Sequence, residues 1–282
     1  MTAEARCGVC PHHCKIPEGG LGICGARTCE NGEIGDFNFG LVSAVALDPI
    51  EKKPLANFHP GSKVLSVGGF GCSFRCPFCQ NSDISMVRGA SVHTPGARIL
   101  LPDELVSMAE GLSSRGNIGV AFTYNEPTTS FDYLLHSSRA VHEAGMLNVV
   151  VSNGYICEDY LTKLLPYIDA WNIDLKAYDQ SFYDMVGAPE GLSTVKRAIE
   201  LASKSSHVEV TTLVIPGLND SESQMEEESS WLASLGSDIT LHITRFFPRY
   251  KMTDRPPTPK GTLAKLANVA SRHLGDVRLG NV

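Results

Sequence analysis

The sequence has no apolar run approaching the roughly 18 residues that a membrane span needs, so no membrane role is expected. It has no basic excess either. Its 24 Lys and Arg stand against 31 Asp and Glu, a formal net charge of −7. Broad phosphate-driven binding of nucleic acid needs a basic face, and no nucleic-acid partner is expected. The opening MTAEARCGVCPHH lacks a basic stretch followed by an apolar segment, so no secretory signal is read there, and a cytoplasmic, reducing setting is expected. Low-complexity segments and repeated motifs are missing too. What remains is a globular composition, 43% hydrophobic and 20% charged over 282 residues, long enough to bury a sizeable core.

Cysteine, by contrast, is abundant for such a setting. Nine thiols fall into a group of five (Cys7, Cys10, Cys14, Cys24, Cys29), a group of three (Cys72, Cys76, Cys79) and the single Cys157. Disulfides are rare in the cytosol, so clustered thiols there point to metal binding or catalysis.

Two regions are expected. Residues 1–62 form a Cys-rich metal-binding region with a short hairpin and a covering loop. The first 35 residues show no strand or helix period and need a metal to hold them. EIGDFNFGLVSAVAL (33–47) reads as two short strands with Gly40 near the turn. DPIEKKPLANFHPGS (48–62), with Pro49, Pro54 and Pro60, reads as a loop over a surface. From residue 63 to 282, apolar strand runs alternate with helical segments of 10–15 residues. That alternation implies βαβ units around a parallel sheet. Strands starting near 64, 118, 147, 169, 207 and 239 are too few for a full eight-stranded barrel. The expected fold is α/β, a partial (β/α)6 TIM-like barrel.

The first barrel strand, KVLSVGGF, runs directly into Gly-Cys72-Ser-Phe-Arg-Cys76-Pro-Phe78-Cys79-Gln-Asn81. A loop after a parallel strand lies at the carboxyl mouth of the barrel, where active sites gather. Closed four-iron clusters take four thiolates; three leave one iron free for chemistry. A three-cysteine zinc site completed by a distant His is the blander alternative.

The C-x3-C-x2-C spacing with an aromatic before the third cysteine resembles the signature of the radical S-adenosylmethionine (SAM) enzymes. More of the chain joins the resemblance: CGVCPHHCKIPEGGLGICGAR, DPIEKKPLANFHPGS, FTYNEPT, SNGY, NIDLKAY, TLVIPGLNDSE and LHITRFFPRYKM are similar to the AmmeMemoRadiSam-system members, relatives of pyruvate formate-lyase activating enzymes. The resemblance implies a 4Fe–4S cluster on Cys72, Cys76 and Cys79, with SAM chelated by the free iron, and a reducing donor such as flavodoxin or ferredoxin. It implies Phe78 near the adenine and Asn81 bracing the loop. Asn125 and Glu126 of Tyr-Asn-Glu-Pro stand where the superfamily has Gly-Gly-Glu-Pro, which holds the SAM amino group. Ser152 and Asn153 suit the ribose or carboxylate, Lys176 beside Asp174 the carboxylate, and His242 the adenosine. Activases carry an acidic residue before Thr-Asn-Gly; here it is Val151.

Read singly, these residues have plain structural roles as well. Asn125 and Glu126 could cap a helix, Ser152-Asn153-Gly154 could be a turn, Asp174 and Lys176 an ion pair, and His242 a satisfied core histidine. At the N-terminus, Cys7, Cys10, Cys14 and Cys24 are expected to close a second site, zinc or iron–sulfur, leaving Cys29 spare. Burial is the expected role of Cys157. The expected activity is reductive cleavage of SAM to a 5′-deoxyadenosyl radical and hydrogen abstraction from a substrate. Three readings of the partner stay open: the glycine of a glycyl-radical enzyme, a small molecule, or none, in a metal-stabilised scaffold.

Overall fold

The computed structural model describes residues 4–236 and 239–282. Its strands are Glu4–Arg6 (β1), Lys15–Pro17 (β2), Arg27–Glu30 (β3), Glu33–Asp36 (β4), Leu41–Val42 (β5), Ala44–Pro49 (β6), Lys63–Gly68 (β7), Arg98–Ile99 (β8), Asn117–Phe122 (β9), Leu147–Ser152 (β10), Ala170–Asp174 (β11), His207–Val214 (β12), Thr240–Arg245 (β13) and Val277–Gly280 (β14). Its helices are Ser82–Ser85 (α1), Pro102–Gly111 (α2), Phe131–Glu143 (α3), Glu158–Leu164 (α4), Gln180–Met185 (α5), Gly191–Ala202 (α6), Glu222–Leu235 (α7) and Lys260–Ala270 (α8).

One sheet dominates, in the order β14-β13-β12-β11-β10-β9-β7-β6. Neighbours from β7 to β14 pair in parallel and β6 lies antiparallel on the β7 edge. Helices cover it, and the apolar periods explain why. On α6, Val195, Ala198, Ile199 and Ala202 recur at helical spacing and all are buried. Strand β10 buries Val149 and Val150 in succession, as a strand covered on both faces must. The architecture is the expected α/β partial barrel, with all six anticipated strands present. Two more join it. The β14 segment, only four residues and half-exposed on the sheet edge, has too short an apolar pattern to read from sequence.

The amino-terminal region departs further from expectation. It contains strands: β1 pairs with β2, and β3 with β4. The β3–β4 turn is Asn31-Gly32 with φ of 54° and 78°, the left-handed pair a tight hairpin demands, so the first strand of the expected 33–47 pair turns back on Arg27–Glu30 instead of pairing across Gly40. Strand β6 pairs with β7 across the expected 62/63 boundary, and a single core cluster runs from Cys7 to Leu274.

Residues 50–62 form a covering loop whose Glu51, Lys52, Asn57, His59, Pro60 and Gly61 are exposed, but it is anchored by residues turned inward. Ile50 and Leu55 are fully buried and pack with Val64, Ala121, Val149 and Ala170 inside the barrel. The segment plugs the amino-terminal end of the barrel. It is held chiefly by Glu209 of β12, whose carboxylate accepts from Ala56 N (2.9 Å) and Asn57 N (2.8 Å). The same carboxylate meets His207 Nε2 at 2.9 Å and His242 Nε2 at 2.5 Å. Burial pushes this carboxyl up, but the hydrogen bonds from the two histidines and two amides outweigh it and hold it at about 2. Its stabilisation is complete above the ordinary glutamate range and is lost as pH falls towards about 2.

Glu228, on α7, is the opposite case. Its buried carboxyl has Thr212 Oγ1 as a hydrogen-bonding partner at 2.5 Å, and burial raises it from 4.5 to about 8. A raised carboxyl favours the fold fully below pH 4.5, and that contribution disappears as pH rises through about 8. Glu228→Gln is therefore expected to match the wild type in thermal unfolding at pH 4.5 and to exceed it at pH 9 by about 4 kcal/mol. Equal stability at pH 9 would refute the assignment.

Candidate active site

The carboxyl ends of the parallel strands converge on a cavity of about 370 Å³. That lies at the lower end of the roughly 300–1,000 Å³ typical of ligand pockets. The loop after β7 brings Cys72, Cys76, Phe78, Cys79 and Asn81 to it. The β9 end brings Tyr124, Asn125 and Glu126, the β10 end Ser152 and Asn153, and the β11 end Asp174 and Lys176.

The cysteine loop turns on Gly71, at φ 89°, where an added Cβ would come within 2.6 Å of Cys24 O. Only glycine fits that close backbone approach. Cys72 N–H donates to the same carbonyl at 3.2 Å. Phe74 N–H and Asn153 Nδ2–H point at Cys72 Sγ, at 3.4 and 3.7 Å. Burial pushes the Cys72 thiol well up and Cys76 to about 12. Iron bound by these sulfurs would reverse that cost by taking the thiolates directly. Three thiols on one cavity wall, one of them receiving N–H groups, suit a cluster. Among the described residues, no three His, Cys, Asp or Glu side chains gather as ligands for a single metal ion.

Glu126 is buried and accepts four hydrogen bonds: Thr128 N (3.1 Å), Thr128 Oγ1 (2.7 Å), Ser152 Oγ (2.8 Å) and Asn153 N (2.7 Å). Burial raises its pKa, partly offset by those donors. It caps the short turn at Pro127–Ser130 and ties the β9 end to the β10 end. Asn125 is likewise engaged by backbone. Its Oδ1 accepts from Gly69 N at 2.8 Å and its Nδ2 donates to Gly71 O at 3.0 Å. Asn81 Nδ2 donates to Tyr124 O at 2.6 Å, and Asn153 Nδ2 to Ser73 Oγ at 3.0 Å. Lys176 and Asp174 form an ion pair at 2.9 Å on the cavity wall. Burial would lower the lysine, but Asp174 and then Cys76 outweigh it and keep it charged. Phe78 packs on Phe182 with ring centroids 5.8 Å apart.

His242 is the exception. It is the third residue of β13, well short of the strand's carboxyl end, and is not among the residues lining the cavity. Its ring is committed to Glu209 at the plugged end, so its expected place beside the adenosine is corrected to a satisfied core histidine.

Sequence reasoning missed the cavity floor. The plug delivers Lys52, Lys53 and Pro54 to it. Lys53 is 2% exposed, meets Asp48 Oδ2 at 2.9 Å and stands 4.6 Å over the Tyr124 ring. Tyr124 O–H donates to the same Asp48 oxygen at 2.7 Å. Burial lowers Lys53, and for Asp48 the hydrogen bonds from Lys53 and Tyr124 overcome burial and hold it below the usual carboxylate range. Tyr124 has φ 73°, a glycine conformation, at the position of the first glycine in Gly-Gly-Glu-Pro. The strain of a side chain there, roughly 1–2 kcal/mol, is offset by its two partners. The hidden signal was that substitution itself.

The amino-terminal cysteines gather at a second, smaller cavity beside the first. Cys7, Cys10, Cys14 and Cys24 line it, with His12, Arg27 and Ser73. Cys29 lies outside, in β3, with its thiol 3.8 Å from Glu18 Oε2. Cys157 is half-buried and precedes α4, its N–H bonded to Val9 O at 2.8 Å.

The chain is similar to several known proteins. The family model described as the Radical SAM superfamily matches residues 66–228. An uncharacterized protein of Methanocaldococcus jannaschii is 39% identical over 282 residues, covering 99% of this chain and 82% of its own. A pyruvate formate-lyase 1-activating enzyme of Escherichia coli K12 is 20% identical over 219 residues, covering 72% of this chain and 86% of its own. In fold, the crystal structure of Streptococcus suis SuiB bound to S-adenosylmethionine matches with a TM-score of 0.58 at 12% identity, over 78% of this chain and 52% of that one.

The Tyr124–Asp48 bond gives a direct test. In a double-mutant cycle, Tyr124→Phe and Asp48→Asn are expected to couple by about 1 kcal/mol in equilibrium unfolding. Simple additivity would show that the bond contributes nothing.

Proposed function

Because the chain belongs to the radical SAM superfamily, we propose that it cleaves SAM reductively at a four-iron cluster held by Cys72, Cys76 and Cys79, and that its substrate is a small polar molecule. A cluster held by Cys72, Cys76 and Cys79 would supply the electron for reductive cleavage of the SAM sulfonium, and so the means of abstracting a hydrogen atom from the substrate. The observation that carries the reading is the three-thiol wall sharing one cavity with the polar ends of three further strands.

The remaining chemistry belongs to the chain's own side chains. Lys176, kept charged beside Asp174, offers a cation to the SAM carboxylate. Asn153 directs an amide N–H at Cys72 and fixes it relative to Ser73. Glu126 acts as a positioning residue, since its four internal donors fill the carboxylate. Phe78 offers an apolar surface to an adenine. On the floor, Lys53 with Asp48 and Tyr124 supplies a cation and a hydroxyl of fixed direction, suited to a substrate with an anionic or hydroxylated group.

A protein substrate is the second reading. It is favoured by similarity to two activating enzymes, the one of E. coli and, at 23% identity over 168 residues, a (2S)-3-sulfopropanediol dehydratase activating enzyme of Klebsiella oxytoca. Both readings suit an oxygen-poor, reducing cytoplasm and a flavodoxin- or ferredoxin-type donor.

Anaerobically reconstituted protein is expected to release 5′-deoxyadenosine from SAM on addition of dithionite, and Cys76→Ala to reduce that release to background. Undiminished release by Cys76→Ala would sink the assignment. Lys53→Met is expected to leave this substrate-free cleavage intact.

A further inference from the structure

One segment beside the cysteine loop carries a charge that the rest of the chain does not share. We propose that residues 245–260, seated on the outer side of that loop, are the docking surface for an acidic one-electron carrier protein. The proposal rests on the cluster assignment above, since the cluster is what the carrier would reduce.

The charge comes first. The chain has a net charge of −7, yet this segment holds Arg245, Arg249, Lys251, Arg255 and Lys260 against Asp254 alone. Asp254 stands 3.8 Å from Arg255, and among the described residues no ion pair engages Arg249 or Lys251. Both residues are exposed. Two aromatic rings are exposed with them, Phe247 at 41% and Tyr250 at 40%. Arg245 lies 4.9 Å over the Phe247 ring and Lys251 5.2 Å over that of Tyr250. Exposed Tyr, Phe and Arg together have the composition of an interface core, and a field of one sign steers a partner of the other.

The position comes second. Arg249 and Met252 exchange backbone hydrogen bonds of 3.1 Å, closing a turn that holds Tyr250 at φ 55°. The base of the segment is fixed. Phe246, Met252 and Thr258 are buried, and Thr258 Oγ1 donates to Val214 O at 2.6 Å. The turn itself is fastened to the cysteine loop, with Lys251 N–H donating to Pro77 O at 2.9 Å. Of residues 76–81, Pro77 alone does not line the cavity, so this contact lies on the loop's outer side. The exposed turn is thereby joined to Cys76 through one hydrogen bond and one residue. A carrier docked there need not enter the cavity.

The reaction moves one electron and no atom: the reduced carrier is oxidised and the cluster gains the electron. Redox encounters of this kind are small and transient, so a short patch with a steering charge is enough. Single-stranded nucleic acid also uses rings set among cations, but it needs a basic track for its backbone. Outside this segment the chain is acidic in balance.

The test titrates an acidic flavodoxin into the full chain, reconstituted anaerobically, with calorimetry as the readout. Arg249→Glu with Lys251→Glu is expected to weaken binding about tenfold at roughly 50 mM salt, and the difference should fade near about 1 M, where screening is complete within about 3 Å. Lys63→Glu with Arg115→Glu makes the same change of net charge beside the amino-terminal ends of β7 and β9. Because those charges lie far from the patch, this control is expected to bind within about twofold of the wild type. Release of 5′-deoxyadenosine driven by reduced flavodoxin should fall in step with binding, and release driven by dithionite should not change. Equal weakening by the two double variants, or weakening by neither, overturns the docking surface. So does a wild type that leaves flavodoxin unbound at low salt, whether or not a single-stranded RNA takes the patch instead. If dithionite yields no release from the wild type, the cluster assignment fails, while the titration still judges the surface by itself.

Discussion

A single carboxylate sets the depth of this barrel. Glu209 of β12 gathers two plug amides and two histidines in a site from which water is excluded. A buried charge is tolerable only when fully hydrogen-bonded, so the plug must seat in one register. That register determines everything above it. With Ala56 and Asn57 fixed, Pro54 O accepts from Asn172 at 2.8 Å, and Lys53 is delivered to the cavity floor beside Asp48. Without the plug, an open parallel sheet would present a water-filled channel rather than a floored pocket.

Above the floor, polar groups at the strand ends divide into those that build the cavity and those that face it. Glu126 and Asn125 spend their capacity on the protein's own backbone and hydroxyls. They hold β9, β10 and the cysteine loop in mutual position. Lys176, Asp174 and Lys53 instead carry charge on the wall and floor. The Tyr124 substitution links the two groups. It accepts a strained backbone, replaces a glycine contact with a side chain, and anchors the plug's Lys53 through a shared partner.

The barrel and its mouth were legible because their signals are local. A run of apolar residues followed by C-x3-C-x2-C states strand, loop and ligand in sequence order, and the polar ends of β9, β10 and β11 follow the same logic. Less could be read where partners are distant. Asp48, Lys53 and Tyr124 make one network from 77 residues of chain, and no local pattern announces it. His242 was misplaced for the same reason: a His in a strand faces one side or the other, and its partner Glu209, 33 residues away, decides which. Asn31-Gly32 is a strong turn signal, but the strands it joins, Arg27–Glu30 and Glu33–Asp36, are four residues each and carry no alternating apolar pattern to announce a hairpin. The plug's prolines and charges mark a covering loop, while Ile50 and Leu55, the two residues that anchor it inside, are too sparse to form a periodic pattern.

The plug also governs how the molecule can be made. Ala56 and Asn57 find their acceptor 153 and 152 residues later, and Asn57 Nδ2 reaches Asp276, 219 residues on. Closing such loops is slow, since the entropy of bringing the ends together is lost before any contact is gained. During synthesis, the amino-terminal cysteines and the catalytic loop emerge long before the strands that complete their enclosure. The nascent chain therefore exposes seven or more thiols to oxygen and stray metals until its last strands arrive, and its yield depends on the redox state of the surroundings during folding as much as on the stability of the finished fold.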